Sequence, residues 1–129
     1  MEIQSYQDLL VWQKAMDLVV ACYELASKLP LSESHGLAPG IQRKARQIPS
    51  YIADGLGRGN TSEYLSRLSF VHGSLMTLES DLLTTRRLSF LTPDEIAPIL
   101  NRCTERGKMR KGLMRSVRGR SHCFLLPDP

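Results

Sequence analysis

The sequence predicts an all-α fold, an antiparallel up-and-down four-helix bundle. Three observations predict it. Apolar residues recur at spacings of three and four through most of the chain, the repeat of one helix face. Start and stop signals divide that pattern into four stretches joined by short links. No stretch shows the strict alternation of a half-buried strand. The 129 residues, 42% hydrophobic and 23% charged, suit one domain with a packed core. The pattern places helices at 8–28, 38–55, 61–87 and 93–118, a bundle over residues 1–120 and a C-terminal tail at 121–129.

The first helix carries two apolar stripes. Val11, Ala15, Leu18, Cys22, Leu25 and Leu29 form one; Trp12, Met16, Val19, Tyr23 and Ala26 form the other. At 100° per residue they stand about 100° apart, and Leu9 and Val20 widen the apolar arc further. A surface helix needs only about 100° of apolar face. This helix therefore predicts two partners, its own core and a second subunit, with Trp12, Met16, Val19 and Tyr23 as the oligomer interface. Pro30 ends it.

The second helix begins near Leu37 or Ala38 with Pro39 in its first turn, and continues through Ile41, Ala45, Ile48 and Ile52. Pro49 inside it predicts a kink, and the glycines at 55, 57 and 59 predict its end. The third opens on Asn60 with Glu63 three residues on, and repeats Tyr64, Leu68, Val71, Leu75, Leu78 and Leu82. Ser69 and Gly73 form a small-residue pair where a neighbouring backbone has room to approach. The fourth is announced by Thr92-Pro93-Asp94-Glu95, a cap, a first-turn proline and a capping box. Ile96, Ile99, Leu100, Cys103, Met114 and Val117 share a face, and Gly107 and Gly112 weaken its intrinsic helicity. Residues 121–129 read as an irregular tail, in which Phe124, Leu125 and Leu126 either dock on a neighbour or stay mobile.

Several functions are disfavoured by composition. Aromatics are 6%, against an RNA-binding sheet or groove lined with stacking rings. No apolar run reaches membrane-spanning length, and the N-terminus lacks a basic-then-apolar signal, so a cytoplasmic protein is expected. Cys22, Cys103 and Cys123 are odd in number and contain no CxxC, so neither a disulfide framework nor a metal site is expected; His122 beside Cys123 offers too few ligands. The serines lack a histidine and acid in recognisable order, and Glu79 and Asp81 point to different helix faces. No catalytic residue and no cofactor is assigned, and the expected protein is not an enzyme. The glycines at 55, 57 and 59 follow no strand and read as a turn rather than a dinucleotide or phosphate cradle.

Charge is more informative by position than by its total of +4. Residues 1–40 hold two lysines against five acids, residues 41–90 seven basic residues against four, and residues 91–129 eight against four. Between Arg102 and Arg120 lie Arg106, Lys108, Arg110, Lys111, Arg115 and Arg118, with Glu105 the lone acid. Two readings stand: a solvated helix face with a basic tail, or a phosphate-binding surface. On the second reading Arg43, Lys44, Arg46 and Arg58 join the fourth helix in contacting phosphates without reading sequence.

Several motifs resemble one family. They are Leu9-Leu10-Val11-Trp12-Gln13-Lys14-Ala15-Met16, Tyr23 with Pro30, Gly36-Leu37, Arg43, Ala45, Ile48-Pro49-Ser50, Ile52-Ala53, Gly55 through Gly59, Glu63-Tyr64, Gly73-Ser74-Leu75, Glu79, and Gly107-Lys108-Met109 with Gly112-Leu113 and Ser116. Over roughly residues 5–118 the chain resembles the bacterial four-helix-bundle proteins encoded within intervening sequences of 23S rRNA genes, which are related to the accessory variability determinant of diversity-generating retroelements. It departs from them at Tyr51, where asparagine is usual, and at Asp54, where glutamate is usual; Gly40, Gln42, Lys44 and Arg110 also differ. The resemblance implies a ring-like homopentamer, and it ranks RNA ahead of DNA as the partner. The expected function is a non-enzymatic, homo-oligomeric, nucleic-acid-binding bundle. The alternative is a protein-interaction adaptor or an accessory subunit that serves a polymerase or reverse transcriptase.

Overall fold

In the computed structural model the chain is all-helical, with four long helices. The structure describes the backbone of residues 6–118 and, within them, the side chains up to Glu105 and that of Lys108; among the described residues there is no strand. The helices are α1 (Leu10–Ala26), α2 (Leu37–Gly57), α3 (Thr61–Arg87) and α4 (Pro93–Arg118). Single 3₁₀ turns, Tyr6–Asp8 and Leu31–Glu33, precede α1 and α2.

The local signals act at the helix ends. Leu9 is extended and buried in the core, so α1 starts after it rather than at Asp8. Its end runs through Ser27 and Lys28 as turns before extended Pro30. Glu33 Oε1 accepts from the Leu37 N–H at 3.1 Å, a reach-back cap for α2 from the preceding turn. Asn60 Oδ1 accepts from the Glu63 N–H at 2.8 Å and opens α3. At the end of α3, Ser89 takes a left-handed conformation with φ 61°. The Phe90 N–H then donates to Thr85 O and the Ser89 N–H to Arg86 O, the paired bonds of a Schellman ending. Both halves of the Thr92–Glu95 capping box form: Glu95 N–H donates to Thr92 Oγ1 at 3.2 Å, and Thr92 N–H to Glu95 Oε1 at 2.9 Å.

α1 and α3 each pack on α2 and on α4. The first α1 stripe is inside from Val11 to Leu25; Ala15, Leu18 and Cys22 are wholly buried. They meet Ile41, Ala45, Ile48 and Ile52 of α2, Tyr64, Leu68, Leu75, Leu78 and Leu82 of α3, and Ile96, Ile99 and Cys103 of α4 in one core. Met114 and Val117, expected on the same α4 face, lie outside the described side chains. Interhelix polar pairs set the register. α2 and α3 are joined by Lys44–Asp81 (2.6 Å), Gln47–Ser74 (3.2 Å) and Asp54–Arg67 (2.7 Å). α1 and α4 are joined by Lys14–Glu105 (2.9 Å) and Lys28–Glu95 (3.9 Å).

Ser69 and Gly73 are exposed, and among the described residues nothing lies within 4 Å of where a Gly73 Cβ would stand. The close approach is at Gly55, where a Cβ would stand 2.8 Å from Tyr64 Cδ1 and 3.1 Å from Arg67 Cβ. Gly55 is therefore a packing residue inside α2 rather than its stop. The helix continues to Gly57, and Gly59, at φ 79°, makes the turn.

Candidate functional site

Three of the four α1 residues expected at an oligomer interface, all but Tyr23, line one side of a groove. Trp12, Met16 and Val19 face Arg46, Pro49 and Ala53 of α2 across a trough of about 330 Å³. Tyr6 closes one end, its ring 5.2 Å from that of Trp12 and edge-on to it. Trp12 and Val19 are half-buried against the core, whereas Met16 is 39% and Tyr23 37% exposed. Val20, one position beyond this stripe, is 57% exposed. Met16, Val20 and Tyr23 thus form an apolar strip along the outer side of α1, at helical spacings of four and three. The fifth member of the second stripe, Ala26, is in the core instead.

The basic residues of α2 divide by what they already hold. Lys44 is bound to Asp81 and mostly buried with it. Arg46 donates to Tyr23 Oη, and its guanidinium lies 6.0 Å from the Tyr23 ring centroid, so it ties α1 to α2. Arg58 grips Asp54 one helical turn earlier, at 3.1 Å. Hydrogen bonds from Arg58 and then Arg67 hold the Asp54 carboxyl below its ordinary range. Neither Arg43 nor Arg46 has a carboxylate partner among the described residues; Arg46 holds Tyr23, whereas Arg43 is exposed and makes no side-chain hydrogen bond among them. The sequence reading did not single out Arg67 of α3. It is 16% exposed and bound by Asp54 and Glu63, a structural cation. Arg86 and Arg87, also not singled out, are exposed in the last turn of α3. An excess of arginine at a helix C-terminus was the available signal for them.

On α4, Arg102 reaches back to the Asp17 carbonyl at 3.4 Å, and Lys108 is exposed. Arg106, Arg110, Lys111, Arg115 and Arg118 lie on the same helix, with side chains outside the described set; Arg120 lies outside the described residues altogether. Glu105, the one acid of the run, turns to α1 and is bound by Lys14 at 2.9 Å. Lys14, Asp17, Glu24, Arg102 and Glu105 line a polar groove of about 490 Å³, with both signs of charge in reach of one another.

Cys22 and Cys103 are both buried and form no disulfide among the described residues, and burial pushes the Cys22 thiol up to about 12 against the opposing charge of Arg102. Among the described residues no three histidines, cysteines or carboxylates gather closely enough to hold a metal ion, and no helix is long and apolar enough to cross a membrane.

The family profile described as 23S rRNA-intervening sequence protein matches residues 7–112, from the turn before α1 to well inside α4. The chain belongs to that family. The match takes in the α1–α2 groove, the Lys44, Asp54 and Arg67 ion pairs and the start of the basic run on α4. A search of curated proteins finds no match.

Proposed function

We propose that this member of the 23S rRNA-intervening sequence family is a non-enzymatic, homo-oligomeric bundle that binds nucleic acid, RNA in preference to DNA, through a basic surface. The pairing of residues 44 with 81 and 54 with 67, and of 14 with 105 and 28 with 95, supports an antiparallel up-and-down arrangement. The observation that carries the binding reading is the Lys14–Glu105 bridge. It draws the lone acid of the 102–120 run toward α1, and in sequence that run holds eight lysines and arginines against this one acid. Attraction of such a surface to phosphates is non-specific and salt-dependent. Arg43, exposed and without an ion-pair partner among the described residues, is placed on α2 to join it. Lys44, Arg46 and Arg58 hold the fold, and their part in binding is secondary.

The apolar strip of Met16, Val20 and Tyr23 supports self-association, and the family resemblance supports a pentamer in a ring. Assembly would repeat the +4 of each chain around the ring and raise its field. A cytoplasmic location is part of the same reading. Binding of the full chain to a structured RNA, followed by fluorescence anisotropy, tests it, with the Arg43→Ala, Lys108→Ala double variant expected to bind more weakly. The adaptor reading, in which the chain serves a polymerase, is favoured instead if nuclease treatment leaves one protein partner bound and removes nothing else.

A further inference from the structure

One pair of aromatic rings lies at the edge of the core and outside the α1–α2 groove, Tyr51 packed against the core and Phe70 exposed. Tyr51 of α2 and Phe70 of α3 meet edge-to-face across the outer seam of those helices, ring centroids 5.3 Å apart. The Arg67 guanidinium stands over the Phe70 ring at 5.2 Å. Arg67 is itself fixed, with Nε 2.7 Å from Asp54 and a second nitrogen 3.6 Å from Glu63. Phe70 is nevertheless 46% exposed. It is a ring held from one side by a locked cation and from another by a tyrosine, with the rest of its surface in solvent. A ring fixed this way loses little freedom when something flat is laid on it. Arg43, Gln47 and Tyr51 stand four residues apart on α2, so the exposed Arg43, which has no ion-pair partner among the described residues, lies on the ridge that leads to the rings.

We propose that Tyr51 and Phe70 form a stacking platform for an unpaired nucleobase of a bound RNA, with Arg43 meeting the phosphates of the same strand. The proposal rests on the nucleic-acid reading above and adds a preference to it, for single-stranded over paired RNA. Every base has a π-face, so such a platform recognises unpaired nucleotides without selecting sequence. A duplex hides its bases in the stack and offers this platform only its edges. The cation on the flank distinguishes the site from one built for an apolar protein side chain, because it suits a ligand that brings negative charge with its flat group.

The test compares a labelled oligouridine with an oligoadenylate–oligouridine duplex, each titrated with wild-type protein and with Phe70→Ala, Phe70→Leu and Phe70→Tyr. Circular dichroism and a melting curve confirm folding, which is expected because Phe70 is exposed. The expected result is an affinity for oligouridine about tenfold lower in Phe70→Ala and Phe70→Leu, restored in Phe70→Tyr, with the duplex unaffected. Unchanged oligouridine binding in both truncations overturns the platform, and so does an equal loss on the two RNAs. If the wild-type protein binds the duplex but not oligouridine, the platform fails and the basic-surface function stands. If it binds neither, both fail.

Discussion

Gly55 and the ring of Tyr64 are in contact across the α2–α3 seam: a Cβ on the glycine would stand 2.8 Å from Tyr64 Cδ1. Tyr64 is wholly buried, so its ring cannot swing aside as a surface side chain would. Gly55→Ala therefore forces the helices apart or the ring off its rotamer. The gain of about 1 kcal/mol from better helix propensity is outweighed. A net loss of about 2 kcal/mol is expected, read as a lower denaturant midpoint at unchanged slope.

Tyr64 predicts a change of the opposite sign. Its hydroxyl is buried without a hydrogen-bond partner among the described residues, and burial pushes its pKa well above the ordinary tyrosine value. Tyr64→Phe keeps the ring that packs on Gly55 and removes the orphaned group. Stability is expected to rise by about 1 kcal/mol, and a chemical melt that shows a comparable loss would reveal a partner for the hydroxyl.

Asp54 makes part of the α2–α3 seam acid-sensitive. Its pKa is lowered, first by the hydrogen bond from Arg58 and then by that from Arg67. The unfolded chain therefore takes up a proton at higher pH than the folded one. The stabilisation is fully present above the ordinary carboxylate range and is lost as pH falls through the depressed folded value. Glu95 behaves likewise, because its carboxylate accepts from the Thr92 backbone and side chain. Asp54→Asn is expected to lower the melting temperature modestly at neutral pH, where the exposed part of the pair is screened, and to flatten its fall below about pH 4, so that the two proteins converge in acid.

Arg43 and Lys44 are neighbours with opposite expected consequences. Arg43 is exposed, whereas Lys44 is 2.6 Å from Asp81, in a pair whose side chains are 24% and 20% exposed. Arg43→Ala is expected to weaken RNA binding and to leave stability within about 0.5 kcal/mol. Lys44→Ala is expected to cost about 1 kcal/mol of stability, with little effect on RNA affinity. Anisotropy titrations and thermal melts of the two variants separate the roles.

The helices were legible because their signals are local. The Asn60 and Thr92 caps and the first α1 stripe follow from spacing alone, and each is where the spacing put it. What the sequence hid was set by pairing between helices. Nothing in the sequence says that Gly55 rather than Gly73 is the close approach, because that depends on the register of α2 against α3. Lys44 and Arg58 looked as free as Arg43 until Asp81 and Asp54 were brought beside them. Tyr51 and Phe70, 19 positions apart, meet only because those helices lie side by side, so an overall aromatic content of 6% could not reveal them. The end of α3 at Arg87 was legible too, although Ser89 rather than a glycine makes the left-handed turn that follows it.

Whether the basic surface meets RNA is tested most directly by the affinity of the full chain for structured RNA across a salt series. Binding is expected at ~50 mM salt, with a logarithm of affinity that falls linearly with the logarithm of salt concentration, the signature of phosphate contacts that release counterions. No binding at ~50 mM salt, or binding indifferent to salt, would contradict that role for the surface.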